Sequence, residues 1–155
     1  MLDIDKISSL KYLLFGSLYF SEGIQFAIAS VIVVLYFTEL EISLATTTLI
    51  SGIAAAPWML KFIFGPITDY YIKYGRKPFI ITGVIFGSTS LFLLAIIDPT
   101  KTLILFAILL FISHLSVIII DVSVDGWAIQ ISQENERGKV NAAMTAGLLG
   151  GMAIR

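Results

Sequence analysis

Three acidic residues and one histidine stand in this sequence with apolar residues on both sides of them. Glu22 lies within a long apolar run, and Gln25 follows it three residues on, which on a helix is the same face. Gly23, between them, permits close approach of a second helix or a ligand. His114, Asp121 and Asp125 are spaced by seven and then four. At about 100° per residue these three share one stripe of a helix. A carboxyl or imidazole in an apolar setting can carry a proton, bond a neighbouring helix or meet a polar solute. Other chemistry is excluded by composition. There is no cysteine, hence no disulfide, thiolate site or cysteine nucleophile, and a single His cannot make a multi-His metal site. No metal and no cofactor are expected.

The elements that carry these residues follow from composition. Hydrophobic residues make up 57% of the 155 and charged residues 14%. A soluble domain carries roughly 25% charged residues to cover its surface. A mean hydropathy of +0.94 agrees, so the expected fold class is all-α, a polytopic transmembrane helix bundle. A net charge of −1 argues against a nucleic-acid partner, and the expected partner is the lipid bilayer. A spanning helix needs about 20 mostly apolar residues. The runs predict spans at 12–37, 43–64, 78–97 and 102–131, with Ser43 a plausible N-cap and Pro78 a good first-turn residue. A fifth apolar segment, 140–155, reads as incomplete, and the chain as part of a longer one. Pairs at Gly83/Gly87 and Gly147/Gly151 predict tight helix packing.

Basic residues set the orientation. Lys6 and Lys11 precede span one, Lys73, Arg76 and Lys77 lie between spans two and three, and Arg137 and Lys139 follow span four. The other side has Lys101 with Glu39, Glu41 and Asp98. The N-terminus is therefore expected in the cytoplasm. Glu22 then lies roughly 16 Å from the cytoplasmic side, and His114 about 12 residues into span four; both fall near the midplane.

Each polar residue has two readings. Glu22 is a functional carboxyl or a protonated one satisfied by a neighbouring helix. His114 lines a cavity or makes one interhelical hydrogen bond. Asp121 and Asp125 contact solute or act as salt-bridge partners near the inner boundary, the second being preferred. Lys61 is expected to snorkel from the end of span two. Arg155, if buried, is a candidate for an anionic substrate.

The segment between spans two and three is the most specific. Gly65 precedes Asp69 by four, and Gly75-Arg76-Lys77 follows. This resembles the cytoplasmic loop signature of the major facilitator superfamily. Tyr70 stands where the common form has Arg, and the interval from Asp69 to Gly75 is three residues longer. With Lys61-Phe62 and Pro66, that expanded form resembles the AmpG-like permeases and the related acetyl-CoA transporters. Asp121-Val122-Ser123-Val124-Asp125-Gly126-Trp127-Ala128, then Glu136-Arg137-Gly138-Lys139, is similar to the fourth helix and following loop of the same branch.

The resemblance implies the N-terminal part of a six-helix half of a transporter whose second half is missing. It implies a secondary transporter, not an enzyme, for a small-molecule solute such as a muropeptide, a pterin or folate, or an acyl-CoA. Glu22 becomes the proton-coupling candidate, because desolvation opposes its charged form. Gln25, His114 and Arg155 become cavity candidates. Gly65, Asp69, Gly75, Arg76, Lys77, Asp121, Asp125 and Arg137 become a cytoplasmic gate in which Asp69 latches onto the other half. The alternatives are a small four-helix structural or accessory membrane protein, or a non-functional remnant. An intramembrane enzyme using the aspartates and His114 as acid and base is disfavoured, since the aspartates sit beside basic partners.

Overall fold

The computed structural model describes residues 8–154, so Lys6 and Arg155 lie outside the described residues. No strand occurs among those described. Four helical stretches are long and apolar enough to cross a membrane: Ser8–Glu39, Leu44–Tyr70, Lys77–Ile96 and Leu103–Ile131. They correspond to spans one to four.

Span one is α1 (Ser8–Ala27), a π turn (Ile28–Ile32) and α2 (Val33–Glu39) without interruption. Within the π turn, the Ser30 hydroxyl donates to the Phe26 carbonyl at 2.7 Å. Such back-bonding competes with the ladder and bends helices. Glu41, at φ 54°, turns the chain, and the Ser43 side chain accepts the Thr46 N–H to begin span two. Span two is α3 (Leu44–Met59) and α4 (Lys61–Tyr70), broken at Leu60. Pro57 and Pro66 bracket the break and remove two ladder donors. The last turn of α3 tightens, with the Leu60 N–H bonded to the Pro57 carbonyl at 2.8 Å.

Span two therefore corrects the expected boundary at residue 64. The helix restarts after Leu60 and runs to Tyr70, so Gly65 and Asp69 are helical and not in a loop. Span three is α5 (Lys77–Ile96), with Pro78 in its first turn. Span four is α6 (Leu103–Ile131), and α7 follows at Arg137–Met152 in place of the expected 140–155.

Half of the apolar window of α6 is buried, against 17–24% for the other spans. It is the central helix, packed on α1, α3, α4, α5 and α7. Two apolar clusters hold the bundle. Near one end, Val33, Phe37, Ile50, Ala54, Leu94, Phe106 and Leu110 pack together. Near the other, Phe15, Val124, Ala128, Val140 and Met144 do so, with Phe15 edge-on to Trp127 at 5.5 Å. The second cluster marks the basic end, where Arg76, Lys77 and Arg137 stand. Between the two clusters lies a polar layer.

The tightest contact is α1 on α7, which run parallel. A Cβ on Gly23 would strike the Leu148 carbonyl, one on Gly147 the Gly16 carbonyl, and one on Gly151 the Phe20 carbonyl. Backbone meets backbone there, so nothing can yield cheaply. Across the bundle, Gly83 faces Ser116 and Ile120 of α6, and Gly87 faces Ser116 and Gln25. Gly23→Ala should therefore lower stability in detergent by roughly 1–3 kcal/mol, as overpacking does. Gly52→Ala, with no atom within 4 Å, should raise it by roughly 0.5–1 kcal/mol. Thermal melts of the two purified variants against wild type check both signs.

Candidate functional site

The polar layer is built from three helices. Tyr19, Glu22 and Gln25 succeed one another at intervals of three on α1. The Tyr19 hydroxyl donates to Asp121 Oδ1 at 3.0 Å and contacts Asp125 Oδ1. On its other side Asp121 forms an ion pair with Lys61 Nζ, which lies 3.6 Å from Asp125 Oδ2. One phenolic proton and one ammonium thus serve two carboxylates. Glu22 adds a third, with Asp121, Lys61 and Asp125 as its charged neighbours. Three carboxylates against one ammonium is a net negative cluster, and burying like charges together is costly unless a cation or a proton joins them.

Glu22 is 7% exposed and lines a cavity of about 320 Å³ between α1, α5 and α6. Gln25, Ser21 and Ser88 supply its other polar groups, and Gly83 and Gly87 open its far wall. Gln25 is fixed there, because its amide donates to the Ser113 carbonyl at 3.1 Å and to the Ser113 hydroxyl at 2.5 Å. His114 is buried elsewhere on α6. Its Nδ1 lies 2.9 Å from the Leu110 carbonyl one turn back, and it does not line this cavity. Two helical turns separate it from Asp121, about 10 Å along the axis.

Lys61 does not stand at the end of its helical stretch. Nine residues of α4 follow it, about 13 Å of helix, and it reaches across to α6. The residues grouped as one gate thus divide into two sets. Asp121 and Asp125 join Lys61 and Tyr19. Asp69 pairs with Arg76 at 2.9 Å, and Arg76 Nε donates to Gln130 Oε1 at 3.3 Å. Arg76 is 8% exposed and lies flat on Gly126, where a Cβ would strike its guanidinium. Gly75, at φ 78°, makes the turn that delivers Arg76 to α6. Gly65 has no atom within 4 Å of where its Cβ would be. Lys77 is exposed; Arg137, also exposed, lines a second cavity with Asp125 and Ser132.

Two further groups escaped the reading of the sequence. Tyr19 sits one turn before Glu22, and that spacing was the available signal. Lys11, counted as a topological charge, is 2% exposed; its ammonium donates to Glu136 Oε2 at 2.8 Å, and the Ser8 hydroxyl contacts Oε1. This closes the basic end between α1 and the start of α7.

Among the described residues, four helices long and apolar enough to cross a membrane fold round a buried charged layer, as an integral membrane protein would have them. The profile of the BT1 family matches residues 22–152, and the chain belongs to that family, which lies within the group of transporters related to the major facilitators. No curated protein and no solved structure matches the chain.

The Lys11 ammonium first, and the Ser8 hydroxyl second, hold the Glu136 carboxyl below its ordinary value of 4.5. A depressed carboxylate contributes stability above its unfolded value and loses it as pH falls through the folded one. The α1–α7 closure should therefore weaken below about pH 4.5. Melting temperatures measured across that range should fall for wild type, and Glu136→Gln should be less stable at neutral pH with a flatter acid limb.

Proposed function

We propose that these residues belong to a secondary transporter that moves a polar or anionic organic solute by alternating access, coupled to protons. Its N-terminus is cytoplasmic, it works with a second helical half, and it catalyses no bond-making step. The observation that carries this reading is the polar layer itself. Glu22, nearly covered, borders a cavity in the middle of span one, beside two more carboxylates and a single ammonium. Carboxylates in that setting act by default in ion or solute movement, because a purely structural helix has no need of them.

Alternating access asks for a midplane site between helices that can rock. The discontinuities favour it. The π turn in span one and the break at Leu60 in span two come together where Phe26 meets Trp58 edge-on at 6.1 Å. Asp69–Arg76–Gln130 is then the gate at the cytoplasmic end, and Lys11–Glu136 a fixed closure beside it. The likeness of the two motifs to those of AmpG-like permeases supports the same mechanism.

Glu22→Gln keeps the shape and removes the titration. Expressed from the complete reading frame that contains these residues, the variant should lose accumulation driven by an imposed pH gradient while keeping exchange of solute across the membrane. Unchanged gradient-driven uptake would sink the coupling role.

A further inference from the structure

We propose that Lys61 is the residue that receives the negative group of the solute, and that Asp121 takes up one proton when it gives Lys61 up. This rests on the transport reading above and adds the charge class of the solute and the residue that selects it.

The argument starts from the distribution of positive charge. Among the described residues, Lys11, Lys73, Arg76, Lys77, Arg137 and Lys139 all stand at the basic end, and Lys101 lies in the turn between spans three and four. Among the described residues, Lys61 is the one basic side chain set well inside a span. Its side chain is 41% exposed, while its principal partner, Asp121, is 3% exposed. The side chain is thus held by a covered carboxylate at its tip and is itself only part-covered. Asp125, at 3.6 Å, is itself 40% exposed. A mobile anion approaching the ammonium meets a cation already desolvated on one flank. The Lys61 stem springs from the first residue of α4, directly after the break at Leu60, so small rotations of α4 move the ammonium between partners.

The cost of the exchange fixes its stoichiometry. If the ammonium turns to a solute carboxylate or phosphate, Asp121 is left as a buried charge without its counter-ion, which is strongly unfavourable. One proton, entering through Glu22 at the cavity and bound at its charged neighbour Asp121, removes that charge, so the Glu22→Gln variant loses coupling by losing the relay. The neutral carboxyl still accepts the Tyr19 hydroxyl and can donate its new O–H to Asp125. The groups facing Asp121 make it the acceptor: Tyr19 and Glu22 from α1, Lys61 from α4 and Asp125 from its own helix. α3 carries no ionisable residue, and the basic residues of α5 and α7 stand at their ends. A monoanion and a proton therefore bind together, and the loaded site carries the same net charge as the empty one.

The test uses the protein expressed from its complete reading frame, purified and reconstituted. A panel of monocarboxylates, including hippurate and N-acetylalanine, is compared with the matching amides and alcohols by thermal shift and by uptake into vesicles. The expected result is that anions bind and their neutral counterparts do not. Affinity should rise about tenfold for each unit fall in pH above the acceptor's range, the slope of one coupled proton. Lys61→Gln should weaken anion binding more than tenfold, and Lys61→Arg should retain it. Asp121→Asn should keep binding and lose its pH slope, a result that misfolding cannot mimic. The proposal is overturned if no anion binds, if neutral solutes are moved equally well, if Lys61→Gln leaves binding intact, or if Asp121→Asn keeps the slope. Failure of the transport reading is separate: the vesicles would then move no solute of either class.

Discussion

A carboxylate on the central helix of a membrane bundle must be neutralised, and the rest of this fold is arranged around that demand. Asp121 is covered by neighbours on all sides and cannot turn to water. Its partners arrive from two different helices, a hydroxyl from α1 and an ammonium from α4. Each must reach it at a fixed depth, which sets how α1 and α4 lie against α6. The two apolar clusters above and below then act as seals, keeping the polar layer in a low-dielectric setting where such pairs are strong.

Span two shows how the reach is obtained. An unbroken helix from Leu44 to Tyr70 would place residue 61 on a face fixed by the packing of α3. The break at Leu60 frees α4 to take its own azimuth, and Lys61 is the first residue after it. Small residues perform the matching task for α1. Gly16 and Gly23 let it settle on the backbone of α7, and Gly87 leaves room for Gln25. The ordinary aliphatic residues of the spans fill space, while a handful of prolines and glycines decide which polar groups meet.

The helices themselves were legible, because apolar runs of this length admit few other folds in a membrane. The stripe of acidic residues on α6 was legible too, since a helix of known period fixes which side chains share a face. Partner choice was not. A span two that ends near residue 64 sets Lys61 at its boundary, and nothing local in the sequence marks the break at Leu60. Tyr19 looked like one more aromatic in an apolar run, as did the lysine eight residues before it among charges that mark topology. Long-range pairings such as Tyr19 with Asp121 depend on how helices are rotated against each other, and a single sequence carries that information only weakly. His114 shows the converse: it shares the stripe, yet its ring is taken up by its own helix.

The burial of Lys11 also has a meaning in time. Its partner, Glu136, lies 125 residues further along the chain. At a synthesis rate of roughly 5–20 residues per second, α1 waits on the order of ten seconds before that carboxylate exists. During the interval the lysine lacks this partner. Only when α7 arrives does the same ammonium leave water and become part of the interior. One side chain thus stays unpaired until α7 begins, and then clasps the start of α7 to α1.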